Sequence, residues 1–136
     1  MKKSLVPSIL LLFVNLSLIG QNLIGSSDQE IRKYMTENEK GLDYQSFINN
    51  STFKYLKYAD SEGTITVLFF LNEQFICKSI RQVCDKSLKA QKITELNAKY
   101  KKIGDNQWGD TKNDKNYLIV LKDEDYSFNV TITLKE

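Results

Sequence analysis

The residues near the C-terminus alternate between apolar and polar side chains, and this alternation constrains the fold more than any other feature of the sequence. Single serine, asparagine or threonine residues separate five apolar residues: Tyr126, Phe128, Val130, Ile132 and Leu134. Successive side chains of a β-strand point to opposite faces of a sheet. The segment therefore predicts a strand with one face in a hydrophobic core and the other in water, which is typical of an antiparallel sheet.

Five other segments also have the composition of strands, so the sequence predicts an antiparallel sheet of five to six strands. They are residues 53–58, 64–71, 74–83, 107–111 and 117–122. The second of these is apolar at both odd and even positions, which indicates a central strand that is covered on both faces. Polar or acidic turns separate the strands, and residues 42–52 are predicted to form a loop.

Two segments have helical patterns, residues 28–38 and residues 87–102. Ser27 and Glu30 match the capping-box sequence that begins a helix. The apolar residues lie on one face in each segment: Ile31, Tyr34 and Met35 in the first, and Ile93, Leu96, Tyr100 and Ile103 in the second. The order of elements predicts an α+β fold with two helices on one face of the sheet, and it suggests two tandem αβββ units.

The first twenty residues have the pattern of a cleavable signal peptide. Lys2 and Lys3 precede an apolar segment over residues 5–19, which is shorter than the roughly twenty apolar residues of a membrane span. We expect cleavage after Gly20, and an uncleaved N-terminal anchor is the alternative. Residues 21–136 are then a single exported domain, periplasmic or secreted, with no stable membrane insertion.

Removal of the signal peptide changes the net charge. The chain has 19 basic and 17 acidic residues, and the two lysines of the signal peptide are the only charged residues that leave with it. The mature domain is therefore neutral, which argues against nucleic acid or an anionic membrane as its partner.

The residue types of several catalytic and metal sites are missing from this sequence. It contains no histidine, which excludes Ser-His-Asp and Cys-His catalysis, and it has no glycine-rich nucleotide-binding motif. Cys77 and Cys84 lack the spacing of a zinc site, so we expect no metal and no cofactor. On one extended strand they would lie more than about 20 Å apart and on opposite faces, so two separate, partly buried thiols are expected. A disulfide would require the chain to turn near Ile80.

The charged clusters are interpreted first as structural. Asp123, Glu124 and Asp125 form an acidic turn, although two such carboxylates could also serve acid–base catalysis or bind a metal. Residues 105–116 are rich in Asp and Asn but lack the ligand spacing of a calcium loop. Lysines make the second helix basic and are expected to form a solvated face: Lys86, Lys89, Lys92, Lys99, Lys101 and Lys102.

Four aromatic residues are the best candidates for a binding surface: Tyr55, Tyr58, Phe70 and Trp108. If the helices cover one face of the sheet, aromatic side chains on the other face are exposed, and exposed aromatic patches mark binding surfaces. The alternative is that these side chains lie in the core or pair across strands.

Residues 24–77 resemble a group of small exported modules. The resemblance is carried by residues 25–31 at the first helix start, by Tyr58 and the turn at residues 60–63, and by Val67 and Phe69. In these features the chain is similar to the β-lactamase-inhibitor-protein-like and outer-membrane-assembly lipoprotein modules. The whole chain looks like the small exported proteins of unknown function of Bacteroidetes-type bacteria. The resemblance implies a helix packed on an antiparallel sheet, and protein binding instead of catalysis.

Three functions follow from the sequence as hypotheses. The first is an exported, non-catalytic interaction module that binds a protein or peptide through a sheet face. The second is a small carboxylate-dependent hydrolase of envelope glycans, which needs two carboxylates across a cleft. The third is a small-ligand-binding domain, which needs a deep apolar pocket.

Overall fold

A computed structural model of the protein describes residues 21–135, so the predicted signal peptide lies outside the described residues. In chain order the elements are a 3-10 turn (Gln21–Leu23), α1 (Asp28–Asn38), β1 (Asp43–Asn49), β2 (Lys54–Ala59), β3 (Ile65–Leu71), β4 (Cys77–Asp85), a 3-10 turn (Lys86–Leu88), α2 (Lys89–Lys99), β5 (Lys101–Gly104), β6 (Gln107–Lys112), β7 (Lys115–Asp123) and β8 (Ser127–Lys135).

The strands form one antiparallel sheet in the order β1-β2-β3-β4-β8-β7-β6-β5. The α+β class and the two helices are confirmed, but the prediction of five to six strands is wrong, because the sheet has eight. Each helix is followed by four strands, so the tandem unit is αββββ instead of αβββ. The two units meet where β4 pairs with β8.

The two unpredicted strands are β1 and β5, which form the outer edges of the sheet. In β1 the register shifts between Tyr44 and Ser46, which indicates a bulge at Gln45. The extra residue interrupts the period-two pattern that identifies a strand in sequence. For β5 the expected helix was too long: α2 ends at Lys99, and Tyr100 is already extended.

Rows of directly paired residues show which face of the sheet is buried. Paired residues on neighbouring strands point to the same face. One row crosses six strands, and all of its members are buried: Leu56, Phe69, Ile80, Ile132, Ile119 and Trp108. The helices complete the core over this face, α1 with Ile31 and Met35 over the first unit and α2 with Leu96 over the second. Both helices therefore cover the same face, as predicted.

The neighbouring row points to the opposite face, which we call the open face. Its members are Lys57, Leu68, Arg81, Thr131, Val120 and Gln107, and each retains some solvent exposure. No helix described within residues 21–135 packs on this face. The alternation in β8 follows the same division, since Phe128, Val130 and Ile132 are buried. Tyr126, predicted to point inward, is instead 90% exposed in the turn before β8.

Candidate binding face

Two of the four candidate aromatic residues belong to the core. Tyr58 is buried on the helix-covered face and packs edge-on against Phe69, with ring centroids 5.9 Å apart. Trp108 is 1% exposed, and its indole N–H donates a hydrogen bond of 2.9 Å to the Asn97 side-chain oxygen on α2. For these two residues the alternative of a core position holds, because the helices cover the face to which they point.

The other two candidates lie together on the open face. Tyr55 and Phe70 are directly opposite each other on β2 and β3, and both are partly exposed. Their ring centroids are 5.7 Å apart with an angle of 60° between the planes. This edge-to-face arrangement stabilises aromatic pairs and leaves part of each ring available for contact.

Arg81 continues the open face from this aromatic pair toward the centre of the sheet. Its guanidinium carbon lies 5.2 Å from the centroid of the Phe70 ring, within the range of a cation–π interaction. Its Nε donates a hydrogen bond of 3.4 Å to the Thr131 hydroxyl on β8. Sequence reasoning did not identify Arg81. The sequence shows no alternation that marks its face, because the buried neighbour Gln82 is polar as well.

A shallow depression of about 270 Å³ lies beside Arg81 on the open face. Val120 contributes apolar surface, and the polar lining comes from Arg81, Lys122, Glu124, Asn129, Thr131 and Thr133. Among the described residues, Glu124 is its only carboxylate. The Glu124 carboxylate accepts a 3.3 Å hydrogen bond from the Asn129 amide and lies 3.9 Å from the Lys122 ammonium. The acid of this depression therefore already has partners.

Two further depressions also contain one carboxylate each from the part of the chain that the structure describes. The first has a volume of about 510 Å³ and lies over the outer strands of the second unit, with Ile103, Asn116 and Asp110 among its lining residues. The second is a space of about 10 Å³ beside α2, lined in part by Lys92 and Glu95, which is about the volume that one water molecule needs.

Residues of the acidic turn make contacts that stabilise the fold. Asp123 accepts a hydrogen bond of 2.8 Å from the Lys89 ammonium, and this contact lowers the pKa of the carboxyl. The backbone N–H of Glu124 donates to the Ser127 carbonyl oxygen and closes the turn. Within residues 21–135 no group of three or more Cys, Asp or Glu side chains is placed to hold a metal ion.

The lysines predicted to form one basic helix face are divided among different elements. Lys89 pairs with Asp123, and Lys92 is 4% exposed with its ammonium 3.3 Å from the Glu95 carboxylate. Lys101 and Lys102 belong to β5. The expectation of a single solvated helix face is wrong for these residues, because α2 ends earlier than predicted and packs Lys92 toward the sheet.

The two cysteines are free and buried, which confirms the prediction of separate thiols. Both lie on β4, but a register shift near Cys77 changes the alternation, and both side chains join the helix-covered core instead of opposite faces. Burial raises the pKa of Cys77 to about 12 and that of Cys84 to about 11. Such thiols are poor nucleophiles at neutral pH.

Comparisons of the chain with protein-family models, with curated proteins and with solved structures found no match. Among the described helices, none is long and apolar enough to cross a membrane.

Proposed function

We propose that the protein is an exported, non-catalytic interaction module that binds a protein or peptide through the open face of its sheet. One observation carries the proposal: both helices cover the same face of an eight-stranded sheet, and no element described in residues 21–135 covers the other. Binding of a partner to a broad sheet face with partly exposed apolar side chains is favourable, because it removes apolar surface from water.

The open face has the composition of an interface. Its partly exposed apolar side chains are Ile48, Tyr55, Leu68, Phe70, Val83, Leu118 and Val120. Most of these apolar residues lie on β1 to β3 or on β7. On β4 and β8, between these strands, the open face carries the polar residues Ser79, Arg81, Thr131 and Thr133. Aromatic residues and arginine are enriched in protein-binding surfaces, and exposed apolar patches mark such surfaces.

The described geometry favours binding over glycan hydrolysis. A glycosidase of the usual type requires two carboxyl groups about 5–9.5 Å apart across the scissile bond. Among residues 21–135, each of the three depressions contains a single carboxylate, and that of Glu124 is engaged by Asn129. No described residue of these depressions supplies the second carboxylate of such a mechanism.

A small-ligand function is also less well supported than protein binding. Ligand pockets enclose most of a ligand in a volume of about 300–1,000 Å³. The depressions of comparable size are shallow and open at the sheet surface, and the narrow space beside α2 has a volume of about 10 Å³. An extended surface suits a peptide or protein better than a small molecule.

Export is part of the proposal and depends on the signal-peptide pattern of residues 1–20. Mass spectrometry of the protein from periplasmic and culture fractions tests it. We expect a chain that begins at or within a few residues of Gln21. A chain retained in the membrane with its N-terminus intact would contradict the proposal.

Photo-crosslinking in the source cells tests the binding face directly. A photoreactive phenylalanine analogue replaces Tyr55 on the open face or, as a control, the 90% exposed Tyr126 in the β7–β8 turn. We expect a discrete covalent adduct with another protein from position 55 and none from position 126. Adducts from position 126 alone, or none from either position, would contradict the proposal.

A further inference from the structure

We infer that Arg81 determines which partner the open face binds, by pairing with a carboxylate that the partner presents beside an apolar side chain. We call Arg81 the specificity anchor. The inference rests on the proposed function and names the chemistry of the partner: an acidic segment of a protein or peptide.

The Arg81 guanidinium is held in position from two sides. The Phe70 ring lies against one side, at 5.2 Å from the guanidinium carbon to the ring centroid, and the Thr131 hydroxyl accepts from Nε. A guanidinium has five N–H donors, and the Nε–H is the one used in this contact. The two terminal nitrogens remain for a ligand, and their planar fork matches the two oxygens of a carboxylate.

Arg81 differs from the paired cations in having no counter-ion among residues 21–135. Lys54, Lys89, Lys92 and Lys122 each lie within 4 Å of a carboxylate oxygen. Arg81 is partly buried, so its charge has lost part of its hydration without gaining an ionic partner. A carboxylate from outside the domain would supply that partner.

The surrounding charges favour an acid at the same position. Lys57 lies in the same row of the open face, with Leu68 between it and Arg81. Glu124, the single carboxylate of the adjacent depression, is engaged by Lys122 and Asn129. Three basic residues, Arg81, Lys57 and Lys122, therefore accompany one acidic residue on this part of the open face, although the predicted mature domain is neutral overall.

The aromatic pair adds the second element of recognition. Tyr55 and Phe70 lie next to Arg81 on the same face, so a segment that places a carboxylate on the guanidinium brings its neighbouring side chains onto the two rings. Apolar or aromatic neighbours would bury the exposed ring surface. The partner motif is thus an acidic residue adjacent to an apolar one.

Selection from a random twelve-residue peptide display library tests this inference. The purified protein is used as wild type, as Arg81→Gln, as Arg81→Lys, and as Lys89→Gln, which removes a cation of α2 that pairs with Asp123 and does not line the depression beside Arg81. Enriched peptides are then synthesised, and their affinities are measured by fluorescence anisotropy at two salt concentrations. Urea unfolding of each variant establishes that it is folded.

We expect the wild-type pool to be enriched in Asp or Glu next to apolar residues. Arg81→Gln should weaken binding of these peptides about 10- to 100-fold, the range for loss of a charge-assisted hydrogen-bonded pair. Arg81→Lys should give an intermediate loss, and Lys89→Gln less than about threefold. Affinity should fall as salt is raised.

The outcomes separate the inference from the proposed function. Enriched peptides without acidic residues, or peptides that bind Arg81→Gln as tightly as wild type, would overturn the role of Arg81 and leave open-face binding intact. Failure of the wild type to retain any peptide above a blank surface would count against both.

Discussion

Adjacent phenylalanines on β3 offer a direct test of the difference between the two sheet faces. Phe69 is fully buried under the helices, whereas Phe70 is partly exposed on the open face. The substitutions Phe69→Ala and Phe70→Ala remove the same atoms at neighbouring positions of one strand. Their effects on stability should therefore differ only because of what covers each face.

The expected magnitudes follow from the contacts of each ring. Phe69→Ala empties a core position that includes the Tyr58 ring contact, and such changes cost about 3–5 kcal/mol of unfolding free energy. Phe70→Ala loses the edge contact with Tyr55 and the cation contact with Arg81, each worth about 0.5–1 kcal/mol at a partly exposed position. We expect a total of about 1–2 kcal/mol at position 70.

Urea unfolding measures both values through the fluorescence of Trp108, the single tryptophan of the chain, which lies in the core. With a slope of about 1.5 kcal/mol/M, the midpoint should fall by about 2–3 M for Phe69→Ala and by about 1 M for Phe70→Ala. Since small domains have only about 5–15 kcal/mol of stability, the milder pair Phe69→Leu and Phe70→Leu extends the test if Phe69→Ala does not fold. Equal losses at the two positions, or a larger loss at position 70, would refute the assignment of faces.

Three further outcomes are expected. Trp108→Phe should cost about 1–2 kcal/mol in urea unfolding followed by circular dichroism, because it removes the hydrogen bond to Asn97 and leaves unfilled core volume; an unchanged midpoint would contradict it. Ser27→Ala should cost about 1 kcal/mol through loss of the helix cap, whereas an effect below about 0.3 kcal/mol would show that the capping box adds little. At pH 8 Cys77 and Cys84 of the native protein should react with iodoacetamide at least about a hundredfold more slowly than those of the urea-unfolded protein, because burial raises the pKa of both thiols. Equal rates in the two states would contradict their burial.

The elements with strong local signals were predictable from the sequence. Ser27 and Glu30 form both hydrogen bonds of the capping box, and α1 covers residues 28–38 as predicted. The alternation in β8 and the apolar stretch of β3 likewise gave strands close to their observed bounds. In each case the pattern arises from residues within one element.

The edge strands were not predictable in the same way. β1 has a bulge at Gln45, and most of its side chains keep solvent exposure, so little of its sequence reflects a buried face. β5 has four exposed residues and follows α2 almost directly. These strands form because they pair with a neighbouring strand. Such pairing is a long-range interaction, and local propensity does not predict it.

The candidate site was only half predictable because a shared face depends on pairing as well as on residue type. Tyr55 and Tyr58 are three residues apart on β2, so they must point to opposite faces, and the sequence alone does not show which one the helices cover. Arg81 approaches Phe70 and Thr131 only through the pairing of β4 with β3 and β8. The anchor therefore emerges from the register of the sheet.

Methyl-resolved NMR with a bound partner tests the central claim most directly, using either the captured protein or a selected peptide. Titration should shift the methyl signals of Leu68, Val83 and Val120 on the open face and leave those of Ile31 and Leu96 beneath the helices unchanged. Shifts confined to the helix-covered side, with the open-face methyls unaffected, would contradict the proposal that this face binds the partner.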